Sequence, residues 1–272
     1  MNIRYITFIT LLIVFGTAGN AQTISTKTRR NKENIPPNIS HAYRWWNLLH
    51  YTINITPDYN KKFISGTNSI TFYALQTGKA MQIDLQQPML ITAINWKNSP
   101  VAFKKEKEGY IINFPKEISK GKTETITIHF EGHPQTAINP PFDNGWIWKS
   151  DKKGRPWMSI ACEGSGASIW LPCKDVLYDE PDKGTLFSIT VPDSLTAIAN
   201  GRLQKKLDNK NGTKTYTWNV VNPINNYNII PYIGKYVTWH KDYSGLKGNL
   251  DCDYWVSGSR SEERRVGKEC RS

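Results

Sequence analysis

The sequence predicts an all-β fold, sandwich-like or saddle-shaped and built from antiparallel sheets, and three observations carry that prediction. Apolar side chains recur at every second position in six separate stretches, a period that gathers them on one face of a strand. Clusters of Gly, Asn, Ser, Lys and Pro separate these stretches and punctuate the chain as turns. No segment carries an apolar stripe of helical period over a dozen residues.

The alternating sets are Tyr51, Ile53 and Ile55; Met81, Ile83 and Leu85; Tyr110, Ile112 and Phe114; Ile126, Ile128 and Phe130; Phe187, Ile189 and Val191; and Tyr216, Trp218 and Val220. Between them lie Thr77-Gly78-Lys79, Lys97-Asn98-Ser99-Pro100, Ser119-Lys120-Gly121-Lys122 and Asp208-Asn209-Lys210-Asn211-Gly212. Strands that are apolar on one face must bury it, which requires two sheets or one sheet folded over. Residues 41–240 are expected to form one such domain, long enough for a sizeable core.

The two ends read differently from this middle. Arg4, the apolar run Tyr5 to Phe15 and the small residues up to Ala21 have the layout of a secretory signal, with cleavage expected after Ala21. The run is shorter than the roughly 20 apolar residues a bilayer span needs, so residues 1–21 are expected to leave a periplasmic or secreted product with no membrane segment. Residues 22–40 are polar, basic and broken by Pro36-Pro37, as in a flexible leader. At the other end, RSEERRVGKECRS over residues 260–272 resembles a translated sequencing-library adapter and is set aside from fold reasoning.

The formal charge of +12 shrinks to +9 without Arg4 and residues 260–272, and to +6 once the leader is also excluded. That is a modest excess for a domain of this size. With no basic helix and no zinc knuckle in the chain, nucleic acid is not an expected partner. Apart from Cys270 in the tail, the thiols are Cys162, Cys173 and Cys252. An exported protein can form disulfides, but spacing alone assigns no pairing, and Cys162 and Cys173 are read as buried free thiols.

The most informative stretch is residues 159–201, SIACEGSGASIWLPCKDVLYDEPDKGTLFSITVPDSLTAIANG. Its Cys-Glu step, the run Trp170 to Asp175, Asp179-Glu180-Pro181, Val191-Pro192 and Asn200-Gly201 together resemble the N-terminal domain of zinc aminopeptidases related to aminopeptidase N and leukotriene hydrolase. The resemblance covers about Tyr43 to Val256. It implies that residues 241–259 begin a connection to a missing catalytic domain, and that the zinc belongs to that domain.

By the same resemblance, Glu163 falls where the family carries a Gln or Glu that binds the free α-amino group of the substrate. A carboxylate beside an ammonium gains a charge-assisted hydrogen bond, and the gain grows as water is excluded. Gly164, Ser165 and Gly166 follow it and lack the bulk that would keep a peptide backbone away. Five residues after the anchor, Ser168 stands where some relatives have Arg. Pro172, Cys173, Asp175 and Pro181 read as shaping the loop and the domain contact.

His129-Phe130-Glu131-Gly132-His133 mimics a metal motif, but on a strand its two histidines lie roughly 13 Å apart, too far for one ion. The His-Glu-x-x-His motif does not occur, nor does Gly-x-Met-Glu-Asn. The expected function is therefore that of a substrate-anchoring domain, catalytically inactive alone and with no cofactor of its own, whose partner is a peptide N-terminus. Competing readings are a carbohydrate-binding module that uses Trp45, Trp46, Trp96, Trp146, Trp148, Trp157 and Trp170 as a stacking platform, a protein-interaction sandwich, and a scaffold homologue that has lost its metal.

Overall fold

A computed structural model describes residues 40–106, 109–246 and 248–258. The expected signal, the leader up to residue 39 and the adapter-like tail lie outside the described residues. A four-residue helix, α1 (His41–Arg44), opens the domain, with the Ser40 hydroxyl accepting from the backbone N–H of Ala42. The strands follow in chain order as β1 (Trp46–Asp58), β2 (Phe63–Ala74), β3 (Gly78–Ile83), β4 (Leu90–Trp96), β5 (Ser99–Pro100), β6 (Ala102–Glu106), β7 (Gly109–Ile118) and β8 (Thr123–Gly132). After them come β9 (Gly145–Ser150), β10 (Pro156–Ala161), β11 (Thr185–Pro192), β12 (Thr196–Ile198), β13 (Arg202–Asp208), β14 (Thr213–Val220), β15 (Tyr232–Gly234), β16 (Tyr236–Gly245) and β17 (Gly248–Ser257).

The alternation in the sequence becomes burial in space. Tyr51, Ile53 and Ile55 of β1 are buried, as are Ile126, Ile128 and Phe130 of β8 and Phe187, Ile189 and Val191 of β11. The main sheet has eight strands in the order β13-β14-β11-β1-β2-β8-β4-β5. On its other face, hydroxyl pairs such as Ser69–Thr127, Thr71–Thr125 and Ser188–Thr217 bridge neighbouring strands at 2.9 Å, as befits a sheet with one face packed and one solvated. Among the described residues the pairings between strands are antiparallel except one: β1 runs parallel to β11, with Tyr51 opposite Thr185 and Ile55 opposite Ile189.

A three-stranded sheet, β3-β7-β6, packs on the buried face. Phe114 of β7 meets Trp45, Phe72 of β2 and Trp96 of β4, with ring centroids 6.2, 6.2 and 5.3 Å apart. A four-stranded sheet, β12-β15-β10-β9, is joined to the same core through Trp146, Trp170 and Phe187. Aromatic pairs of this kind add to the large apolar area each ring buries.

This packing removes the basis of the sugar platform. Trp45, Trp46, Trp146 and Trp170 are fully buried, and Trp96 and Trp148 nearly so; a ring enclosed by protein has no face to stack on a sugar. Trp157 is half-buried and donates its indole N–H to the Tyr236 hydroxyl at 2.9 Å. Residues 241–257 form most of a two-stranded hairpin, β16–β17, so the boundary drawn between residues 240 and 241 falls inside a strand. Among the described residues, no helix is long and apolar enough to cross a membrane.

Candidate functional site

The loop that leaves β10 carries Cys162, Glu163, Gly164, Ser165 and Gly166, and it is fixed from three sides. The N–H of Gly164 donates to Asn144 Oδ1 at 3.1 Å, and the N–H of Gly166 donates to the carbonyl of Cys162 at 2.8 Å. Gln86 donates from Nε2 to the Ser165 carbonyl and to the Ser168 hydroxyl, both at 2.9 Å, and from its backbone N–H to the Ser168 carbonyl at 2.8 Å. Asp175 then accepts the N–H groups of Ala167 at 3.3 Å and Ser168 at 2.9 Å, capping the short 3-10 turn Ala167–Ile169.

Gly166 is required at its place. Its φ of 81° lies in the left-handed region, and a methyl group there would collide with the Asp175 carboxylate. Gly166 thereby also serves the loop's own turn. Gly164 and Glu163 are exposed, while Ser165 and Gly166 are half-buried.

The motif residues after this loop form its foundation. Cys173 and Asp84 exchange backbone hydrogen bonds at 2.9 and 3.1 Å, and the Asp84 carboxylate accepts from the N–H of Asp175 at 3.0 Å and from the hydroxyl of Tyr43. The Pro172 carbonyl accepts from Asn68 Nδ2 at 2.9 Å. Lys174 is fully buried: its ammonium donates to Asp179 at 2.6 Å and to the Trp46 carbonyl at 2.7 Å, and stands 4.1 Å from the centroid of the Trp46 ring. Its own carbonyl accepts from Asn226 Nδ2 at 2.6 Å, which ties the 3-10 turn Asn226–Asn228 to the same foundation.

These fixings build a cleft of about 610 Å3 lined by Pro141, Phe142, Asn144, Ile160, Ala161, Cys162, Glu163, Gly164, Tyr227, Asn228 and Ile230. Glu163 is exposed at this cleft, and no cation among the described residues pairs with it. Three chain segments far apart in sequence supply the walls. Asn144, immediately before the Gly145-Trp146-Ile147-Trp148 run, could be found from the sequence because that run leads into the Glu163 loop. Phe142, Tyr227, Asn228 and Ile230 carried no such signal.

Cys162 and Cys173 are buried free thiols. Burial pushes the Cys162 thiol up to about 12, and Cys173 well above its ordinary value, so both stay protonated and unreactive at neutral pH. The Cys162 thiol instead donates to the Tyr227 carbonyl at 3.3 Å, joining two walls of the cleft.

Asp84 gives this foundation a pH dependence. Burial pushes its carboxyl from 3.8 up to about 6, against the hydrogen bonds from Tyr43 and Asp175 that favour the charged form. Because the folded chain holds this proton more tightly than the unfolded one, the Asp84 contribution to stability is complete below about pH 4 and is lost as pH rises through about 6. Asp84→Asn should therefore flatten the fall in stability between pH 4 and 7. Paired thermal melts of both proteins across that range check this, and parallel curves would overturn it.

The two histidines of the false metal motif have separate partners. His129 on β8 contacts Asn95 at 3.3 Å, and His133 lies 3.2 Å from the Lys62 carbonyl with its ring 5.1 Å from that of Phe63. Among the described residues, His240, Asp251 and Asp253 are the group whose ligand atoms lie within 4.8 Å of one another. They do not fit a peptidase metal centre: they sit exposed on the β16–β17 hairpin, none lines the cleft, and Arg202 already reaches Asp251 at 3.3 Å and Asp253 at 3.8 Å.

Comparison with known proteins places this geometry. No curated protein matches the chain. Among solved structures it is similar to a two-domain M1 zinc metallopeptidase variant bound to L-arginine, with 20% identity and a TM-score of 0.67 over 79% of this chain and 49% of that one. It is also similar to an M1 zinc metallopeptidase variant from Deinococcus radiodurans bound to a Tyr-Ser-Ala substrate, with 21% identity and a TM-score of 0.67 over 79% of this chain and 48% of that one. At such identity the likeness is one of fold, and the chain spans about half the length of the structures it matches. The family model of the peptidase M1 N-terminal domain matches residues 47–227, from the second residue of β1 to the turn that walls the cleft, and the chain therefore belongs to the peptidase M1 N-terminal domain family.

Proposed function

We propose that this chain is the substrate-anchoring part of an exported zinc-dependent aminopeptidase, and that it grips the free amino group of a peptide through Glu163. One observation carries the reading: an exposed carboxylate, with no cation paired to it among the described residues, lies at the cleft on a loop whose backbone is held by Asn144, Gln86 and Asp175. Such a loop loses little freedom when a ligand binds, so more of the interaction is retained as affinity. An ammonium at Glu163 gains charge and hydrogen bonding together, whereas an acetylated nitrogen has no charge and keeps a single N–H. The site thereby measures from the amino end of a chain.

The anchoring domain contributes no proton transfer or bond cleavage. Zinc, in the companion domain that the family implies, would supply a Lewis acid and an activated water; the residues present here hold, orient and exclude water. On this reading the chain alone is inactive and, after signal cleavage, periplasmic or secreted with no membrane segment. Amino-acid and peptide ligands in the similar M1 structures support a peptide partner.

The binding step can be isolated from catalysis. Titrating 15N-labelled chain with leucinamide should shift the amide signals of Glu163 and Gly164, and N-acetyl-leucinamide should leave them in place. Equal shifts with both compounds would overturn the anchor.

A further inference from the structure

The loop between β8 and β9 presents Ile138 and Phe142, each 86% exposed. A large apolar side chain that exposed is unremarkable on a frayed loop, but this loop is tied. The Asp143 carboxylate accepts the N–H groups of Ile138 at 2.6 Å and Asn139 at 2.9 Å, and the N–H of Phe142 donates to the Asn139 carbonyl at 3.0 Å. At the base of the loop, the N–H of Trp146 donates to the Gln135 carbonyl at 2.6 Å and the N–H of Ala137 to the Trp146 carbonyl at 3.0 Å. Gly145 makes that closure possible: its φ is 142°, and a methyl group on it would stand 2.6 Å from both the Gln135 carbonyl and the Ala137 nitrogen. The backbone that carries Phe142 is thus tied in place, with the ring projecting from it.

That place is the cleft. Phe142 lines it together with Ile160 and Ile230, and Asn144 joins the loop to the Glu163 turn through the N–H of Gly164. The cleft is far larger than an ammonium group. Once the amino nitrogen is fixed on Glu163, the side chain on the adjoining carbon must enter the remaining space, whose lining includes the aromatic residues Phe142 and Tyr227 and the aliphatic residues Ile160 and Ile230. The lining contains no cation, and Glu163 is its one carboxylate. An acidic first residue would therefore bring a second carboxylate beside Glu163, with the one ammonium shared between them and no cation in the lining to offset the extra charge.

We propose that Phe142 is a specificity-determining residue: its ring forms the wall against which the side chain of a peptide's first residue packs, so that the cleft takes apolar first residues in preference to glycine and to acidic ones. The proposal rests on the reading of Glu163 as the amine anchor. It extends that reading from which end of a peptide is held to which peptides are held.

The test uses the whole chain and three amine probes, leucinamide, glycinamide and the α-amide of aspartate, with N-acetyl-leucinamide as control. Leucinamide should bind about tenfold more tightly than glycinamide, the discrimination a hydrophobic pocket gives for a few methylene groups, and the aspartate amide should bind no better than glycinamide. In Phe142→Ser the leucinamide advantage over glycinamide should fall to about twofold or less; Phe142→Leu should retain most of the advantage. Near-UV circular dichroism of both variants establishes that they fold. An unchanged leucinamide advantage in Phe142→Ser, or aspartate amide binding as tightly as leucinamide, would overturn the proposal while leaving the anchor intact. Equal binding of N-acetyl-leucinamide and leucinamide would remove the anchor, and the wall with it.

Discussion

Glu163→Ala, introduced into the two-domain enzyme proposed above, is expected to lower kcat/KM on free-amine aminoacyl substrates by about a hundredfold. The magnitude follows from the geometry. The carboxylate is exposed in this domain, where an ion pair contributes little, but a companion domain closing over the cleft would exclude water from it. Truncating one partner of a desolvated, hydrogen-bonded charge pair costs about 2–5 kcal/mol, which corresponds to about 30-fold to several thousandfold. Glu163→Gln keeps an acceptor oxygen and loses the charge, so it should fall between the wild type and Ala. Steady-state kinetics on an aminoacyl p-nitroanilide measures the effect. An Ala variant that turned over such substrates normally would show that the amino group is held elsewhere.

Lys174→Met should produce the largest loss of stability. Its ammonium is wholly buried and compensates Asp179, itself 2% exposed. Breaking a buried pair by removing one member costs about 3–5 kcal/mol, and for a domain of this size each kcal/mol lowers Tm by about 2–4 °C. A fall of about 6–20 °C is therefore expected in a thermal melt. Replacing both members, Lys174→Met with Asp179→Leu, should recover most of the loss, because no uncompensated charge remains in the interior. A double variant no more stable than the single one would mean that the contacts of the Lys174 side chain with the Trp46 carbonyl and ring, rather than charge compensation, give it its importance.

Much of this architecture was legible because strand periodicity is local. Tyr51, Ile53 and Ile55 announce a half-buried strand without reference to any other part of the chain, and each is buried. The direction of the partner is not local: nothing in residues 46–58 says that one neighbour runs parallel. Lys174 was equally opaque, since a lysine in a loop ordinarily reaches solvent, and only the convergence of Trp46 and Asp179 encloses it. The tryptophans illustrate the reverse difficulty. Their abundance admits both a core and a platform, and burial decides between them.

At the site, the residues on one continuous motif were readable and those brought in by tertiary contact were not. Glu163 was singled out by the family resemblance of residues 159–201, and it lies at the cleft. Phe142 and Asn228 reach the same place from segments 21 residues before it and 65 after it. Their role depends on how β9 and the Asn226–Asn228 turn pack, which no spacing rule expresses.

The parallel pairing of β1 with β11 has a consequence for how the molecule comes into being. Strand β1 is complete by residue 58, but its second neighbour begins at residue 185 and is itself flanked by β14, which ends at residue 220. Pairings between segments so distant close slowly, and until they close one edge of β1 remains an open template for unwanted strand addition. During synthesis the first half of the polypeptide must therefore wait, unfinished, for the last third to arrive.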